Sequence, residues 1–297
     1  MWDQGFLFVN VSRKGYYFKK SIFGATLMSA TADSGINKMT MKKLLFGLLS
    51  LIVIDANAQL SAVKGKTEYN FWLNLPSDSI LKSQPPVLIF LHGKSLSGTD
   101  MNKVKKYGVI HEIEKGRKID AIVIAPQVVS GSWSPDNVLE VLEYVQKTYK
   151  TDTNRVYVCG MSLGGYGTMH FAGKYASKIT AAVALCGGGN VKDACTMSTI
   201  PMWIQHGDRD EAVPVQRSRE IVDAIKLCNG GKNLVYTEVK GADHGALERV
   251  FRDDAMYQWL FLQKRSTPSE VVMKALVAPV VTEEKSTTPK AAPVQTN

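Results

Sequence analysis

The chain has 297 residues, of which 45% are hydrophobic, 21% charged and 9% aromatic. That composition excludes a wholly disordered chain, a collagen-like chain and a disulfide-dense miniature scaffold. The formal net charge is +9, but much of the basic excess lies outside 59–263, and no basic stripe marks a nucleic-acid footprint.

The first 58 residues read as an address rather than a fold. Met41, Lys42 and Lys43 make a short basic start, and an apolar run over 44–54 follows. Ala56, Asn57 and Ala58 then offer an A-x-A cleavage pattern, completing the three parts of a secretory signal peptide over 41–58. The apolar run is too short for a stable membrane span. Residues 1–40 are expected to be an upstream extension arising from a mis-assigned start, with cleavage after Ala58 and a secreted or periplasmic product.

From residue 59 to 263, β-rich runs alternate with helical stretches. Strands are expected over 71–75, 87–91 and 121–125, the last stopped by Pro126. A helix follows over 138–149, with Val138, Val141, Leu142 and Val145 on one face and Pro135 and Asp136 in its first turn. Further strands are expected over 156–159, 181–185, 202–205 and 234–239. Continuous apolar strands suit a sheet buried on both faces. Strand–helix–strand repetition implies right-handed crossovers, hence an α/β domain with a mostly parallel central sheet flanked by helices. Chemistry in such sheets gathers at the carboxyl ends of the strands. About 15 residues separate the expected strands at 181–185 and 202–205, an ordinary loop with no lid domain. The tail over 264–297, rich in Pro, Thr, Lys and Ala, reads as a flexible extension.

Three strand ends carry the candidate chemistry. Gly160-Met161-Ser162-Leu163-Gly164 follows a strand and opens a helix, the context that a G-x-S-x-G nucleophile elbow requires. His206-Gly207-Asp208-Arg209-Asp210 supplies a carboxylate, with Asp210 preferred over Asp208. Gly241-Ala242-Asp243-His244-Gly245 supplies an imidazole, and Asp243 beside it reads as loop structure. Serine is a weak nucleophile at neutral pH and needs a base. His244 would take its proton, and Asp210 would fix the imidazole tautomer. The oxyanion donors are expected to be the backbone N–H groups of Leu163 and Lys94, with His92 organising the latter loop. Trp133 is a candidate wall of the substrate pocket. Of four cysteines, Cys186 and Cys195 are close enough in sequence to bridge, and Cys159 is expected to be a buried thiol. Five histidines without H-x-x-x-H spacing point to no metal centre.

These residues resemble a known group, the secreted carboxylesterase-like α/β hydrolases (often labelled predicted peptidases or phospholipase/carboxylesterase proteins), relatives of dienelactone hydrolases and of feruloyl and acetylxylan esterases. The resemblance covers 71–262 and is most specific from Asp152 through Tyr157 into Gly160-Met161-Ser162-Leu163-Gly164-Gly165. It extends to Cys186-Gly187-Gly188-Gly189 and to His206 through Val215. It implies an α/β-hydrolase fold, a Ser162–Asp210–His244 triad and ester hydrolysis without a cofactor. Lys94 departs from it, standing where the group often has a small residue. The expected substrate is a small-molecule or polysaccharide-linked ester, such as acetyl or feruloyl groups on plant polysaccharide. A serine peptidase of prolyl-oligopeptidase type, or a non-catalytic binding protein on the same scaffold, are the alternatives.

Overall fold

The computed structural model describes residues 60–229 and 231–265. The expected signal peptide over 41–58, the extension over 1–40 and nearly all of the tail over 264–297 lie outside the described residues.

Eight strands form one sheet in the order β1-β2-β4-β3-β5-β6-β7-β8. β1 (Leu60–Val63) and β2 (Phe71–Asn74) pair antiparallel, and β2 pairs antiparallel with β4 (Ile122–Pro126). All other pairings are parallel: β3 (Val87–Leu91) lies between β4 and β5 (Val156–Met161), followed by β6 (Ala181–Leu185), β7 (Met202–Gly207) and β8 (Leu234–Val239). The alternating strand–helix pattern thus gives the expected sheet, and β1 is an addition to it. Its four residues are half-buried or exposed, so no continuous apolar run announces it.

The central strands are apolar at every position because both faces are covered. Val87, Ile89, Leu91, Val156 and Val158 face one core; Leu88, Phe90, Tyr157 and Cys159 face the other. This is the period-2 alternation of strand side chains. The first core packs against α3 (Pro135–Thr148), α4 (Leu163–Tyr175) and α6 (Gln216–Asn229). The second packs against α2 (Val109–Glu114), a 3-10 stretch over Gly245–Arg252 and α7 (Asp254–Leu262). Each fully buried Val, Leu, Ile or Phe contributes about 1.5–3 kcal/mol.

α3 shows how local sequence starts a helix here. The Ser134 side chain accepts from the Asn137 N–H, Pro135 takes the first turn, and Val138, Val141, Leu142 and Val145 are the buried face. Two short helices, α1 (Asp78–Lys82) and α5 (Ala194–Met197), complete the α-helices among the described residues. α5 lies between β6 and β7, where the chain builds only a short 3-10 turn and one helical turn. After α7 the chain remains docked: the Arg265 N–H and guanidinium donate to the carbonyls of Asn154 and Thr153.

The Cys186–Cys195 bridge that the spacing would allow is not formed. Cys195, in α5, is bonded to Cys228 near the end of α6, with the Cα atoms 5.1 Å apart. Cys186 is a buried free thiol just after β6, with its backbone in the left-handed region at φ 47°. Nearness in sequence gave way to the packing of α5 against α6. Cys159 is free and buried in β5, and burial pushes its thiol strongly up, keeping it neutral.

Candidate active site

Ser162 stands between β5 and α4 with φ 59° and ψ −120°. A non-glycine residue held there is strained, and such strain collects at functional sites. The turn is pinned on both sides: the Ser162 N–H donates to the Leu185 carbonyl at 2.9 Å, and the Tyr166 N–H donates to the Ser162 carbonyl at 3.0 Å. Gly164 makes the turn possible. A β-carbon there would stand 1.8 Å from the Leu91 carbonyl oxygen, closer than any side chain can approach. Leu163 is the first residue of α4, so its N–H has no acceptor within the helix.

His244 opens the 3-10 stretch after β8. Its Nδ1 is 2.7 Å from Asp210 Oδ2. Asp210 is buried, and its other oxygen accepts the N–H groups of Ala212 at 2.9 Å and Val213 at 2.8 Å. Burial alone would raise the carboxyl; the Val213 N–H and His244 outweigh it and hold Asp210 below the usual carboxylate range. An ionised carboxylate only accepts, so the proton of this bond is carried on His244 Nδ1.

The competing carboxylates are placed elsewhere. Asp208 accepts the Gly241 N–H at 2.6 Å, tying together the turns that follow β7 and β8. Asp243 accepts the Ala246 N–H at 2.8 Å and caps the stretch after His244.

Ser162 and His244 line one cleft of about 960 Å³, together with Phe90, Tyr107, Met161 and Phe251. Gly93, Lys94 and Leu163 line it too. A β-carbon on Gly93 would lie 3.7 Å from that of Ser162, so the turn after β3 passes directly beside the serine. His92 organises that turn from within. Its Nδ1–H donates to the Gly93 carbonyl at 2.8 Å, and its Nε2 accepts the Val128 N–H at 3.2 Å. Burial depresses it to about 4, against a smaller upward effect of the Gly93 carbonyl, so it is neutral at pH 7.

Trp133 does not line the cleft. Its indole is buried, donates to the His92 carbonyl at 3.2 Å, and meets the His92 and Tyr69 rings edge-on at 4.8 and 5.4 Å. α4 passes so close that a β-carbon on Gly167 would stand 2.6 Å from the indole. A tryptophan at a strand end was expected to face the pocket; its N–H found a buried acceptor behind the turn instead. It supports the Gly93–Lys94 segment from the far side.

Cys186, Asp210 and His244 bring one ligand-type atom each within 4.8 Å of one another. His244 Nδ1 and Asp210 Oδ2 stand at hydrogen-bond distance, 2.7 Å. Burial pushes the Cys186 thiol strongly up, keeping it neutral. Sequence reasoning missed Tyr107, which lines the cleft, and His206, which adjoins Asp210; only the second had a signal, inside the segment already quoted for its carboxylate.

Residues 117–254 match the dienelactone hydrolase family. The match takes in Ser162, Asp210 and His244 but not β3 or Lys94. With the eight-stranded, mostly parallel sheet, it makes the fold that of the α/β hydrolases. Among curated proteins, the chain is 27% identical over 154 residues to the bifunctional acetylxylan esterase/xylanase XynS20E of Neocallimastix patriciarum, covering 49% of this chain and 22% of that protein. It is 26% identical over 210 residues to feruloyl esterase D of Neurospora crassa, covering 63% of this chain and 68% of that one. Among solved structures it resembles a thermostable esterase with a TM-score of 0.58 and 27% identity, over 71% of this chain and 64% of the other. The chain thus spans about a fifth of the first relative. Among the described residues, no helix is long and apolar enough to cross a membrane.

Proposed function

We propose that the protein is a secreted serine carboxylic-ester hydrolase, with Ser162 as nucleophile, His244 as general base and acid, and Asp210 as the group that orients His244. The observation that supports this best is the pairing of a strained Ser162 with His244 in one cleft, while His244 Nδ1 bonds the buried Asp210 carboxylate at 2.7 Å.

Ser162 Oγ attacks the ester carbonyl as His244 Nε2 takes the hydroxyl proton. The carbonyl oxygen gains a negative charge, accepted by the N–H groups of Lys94 and Leu163. Each such donor is worth about 3 kcal/mol in the transition state. Collapse breaks the bond to the alkoxide, which leaves with the proton from His244. Water then attacks the acyl-serine by the same route, giving the carboxylic acid and restoring Ser162. The chain's own residues supply every proton transfer, and no cofactor is needed.

The substrates are acyl esters on polysaccharide, acetyl or feruloyl. The names of the two curated relatives support this class, as does an open cleft with aromatic and apolar walls. The test is a panel of p-nitrophenyl acetate, p-nitrophenyl octanoate, methyl ferulate and acetylated xylan, with small peptides as the peptidase control, on wild type and Ser162→Ala. Cleavage of an acetyl or feruloyl ester, with a loss of about three decades or more in the variant, is expected. Peptide cleavage in place of ester cleavage would move the assignment to a peptidase, and equal rates in the two proteins would remove Ser162 from the chemistry.

A further inference from the structure

His206 ends β7 four residues before Asp210, is fully buried, and has no part in the mechanism above. Its Nε2 faces two acceptors, the Val213 carbonyl at 2.8 Å and Asp210 Oδ2 at 3.2 Å. Neither a carbonyl nor a carboxylate can donate, so Nε2 carries a proton. Its Nδ1 lies 2.7 Å from Ser218 Oγ in α6, and that oxygen lies 3.0 Å from the Gly187 carbonyl. One hydroxyl proton can serve only one of these acceptors. If Nδ1 is bare, Ser218 donates to it. If Nδ1 is protonated, Ser218 donates to Gly187.

Burial holds His206 below its ordinary value, outweighing the opposing effects of the Val213 carbonyl and of Asp210. The neutral ring therefore has one arrangement: Nε2–H toward Val213 and Asp210, Nδ1 accepting from Ser218. The backbone of Val213 is held on both sides, because its N–H reaches Asp210 Oδ1 while its carbonyl reaches His206.

We propose that His206 is a positioning residue for Asp210: as the Nε2–H tautomer locked by Ser218, it holds the Val213 turn and Oδ2 so that the carboxylate presents a fixed lone pair to His244. The proposal rests on the reading of Asp210 as the orienting acid. The charged or titratable groups near His206 are Asp210 on its own turn, His244 after β8, and Glu238 in β8. Asp210 divides its charge among its donors. Removing the one at His206 concentrates that charge on His244 and favours its imidazolium form.

The test uses the full chain and p-nitrophenyl acetate, comparing His206→Asn, His206→Gln and Asp210→Asn. A glutamine amide reaches the place of Nε2; an asparagine amide does not. His206→Asn is expected to lower kcat about tenfold with KM unchanged, and to move the acid limb of the kcat/KM profile to higher pH. His206→Gln is expected to restore both; a purely structural role would shift the melting temperature without moving the limb. If Asp210→Asn leaves the rate intact, the reading beneath the proposal fails. If Asp210→Asn is crippled while His206→Asn matches wild type in kcat and acid limb, the proposal itself is overturned. Should His206→Asn fail to fold, nitrogen-15 shifts of the histidine rings in the wild-type chain decide the matter, with Ser218→Ala identifying His206. An Nε2–H tautomer at pH 7 is expected, and an Nδ1–H or doubly protonated ring overturns it.

Discussion

At the residue scale, buried histidines tie this fold to pH. His92 sits at about 4 in the folded protein against an ordinary 6.5, because burial penalises its charged form. The unfolded chain therefore binds a proton that the folded chain refuses between those two values. Stability is fully present above pH 6.5 and declines as pH falls toward 4, by about 3 kcal/mol for this residue alone. His206, also lowered, acts in the same direction. Asp210, held below its ordinary carboxylate value, adds a further loss at still lower pH. Guanidinium unfolding at pH 7 and pH 4.5 is expected to show a clearly lower midpoint at the acid pH; equal midpoints would mean that His92 is hydrated. Asp210→Asn is expected to lower kcat about four decades, since the neutral amide no longer fixes the His244 tautomer. A loss below tenfold at pH 7 would reject the role given to Asp210. His92 and His244 were legible in the sequence because each follows a strand. The sidedness of Trp133 was not, because a strand-end position does not tell whether an indole faces the cleft or a buried carbonyl.

At the element scale, the turn between β5 and α4 depends on the approach of α4 to the end of β3. Gly164→Ala places a methyl 1.8 Å from the backbone oxygen of Leu91, where neither atom can swing away. A destabilisation of at least about 3 kcal/mol, read as a fall in denaturation midpoint, is expected. A midpoint near wild type would mean that the elbow is looser than described. The Cys195–Cys228 bond closes a loop across 33 positions and ties α5 to α6. Replacing both cysteines with serine is expected to cost about 3–4 kcal/mol, checked by the same unfolding experiment. Strands β2 to β8 were legible to within two residues at each end, most plainly β3, β4 and β6, which are covered on both faces and written as unbroken apolar runs; most of the helices carried no such signal. The bridge was not legible: it depends on α5 meeting α6, and nothing local records a contact between elements so far apart in sequence. β1 was missed for a related reason, because an edge strand half open to solvent carries no apolar run.

At the scale of the whole molecule, one sheet brings the ends of β3, β5, β7 and β8 to a common cleft. β3, β5 and β6 are neighbours, so the Gly93–Lys94 segment, Ser162 and the β6 carbonyl that pins it meet without long loops. β7 and β8 then deliver Asp210 and His244 side by side. Only a short turn and one short helix join β6 to β7. Motif, strand-end placement and chain order together pointed to Ser162, a carboxylate and His244 as candidates. The choice between Asp210 and Asp208 became definite only in three dimensions, where one carboxylate reaches His244 and the other reaches Gly241. The central claim is that Ser162 is a nucleophile activated by His244. The most direct measurement is peptide mapping after treatment with a fluorophosphonate probe, for wild type, Ser162→Ala and His244→Ala. One adduct is expected, on Ser162, absent from the first variant and slowed by about three decades in the second. An unmodified Ser162 in folded wild-type protein, or an adduct formed equally fast without His244, would contradict it.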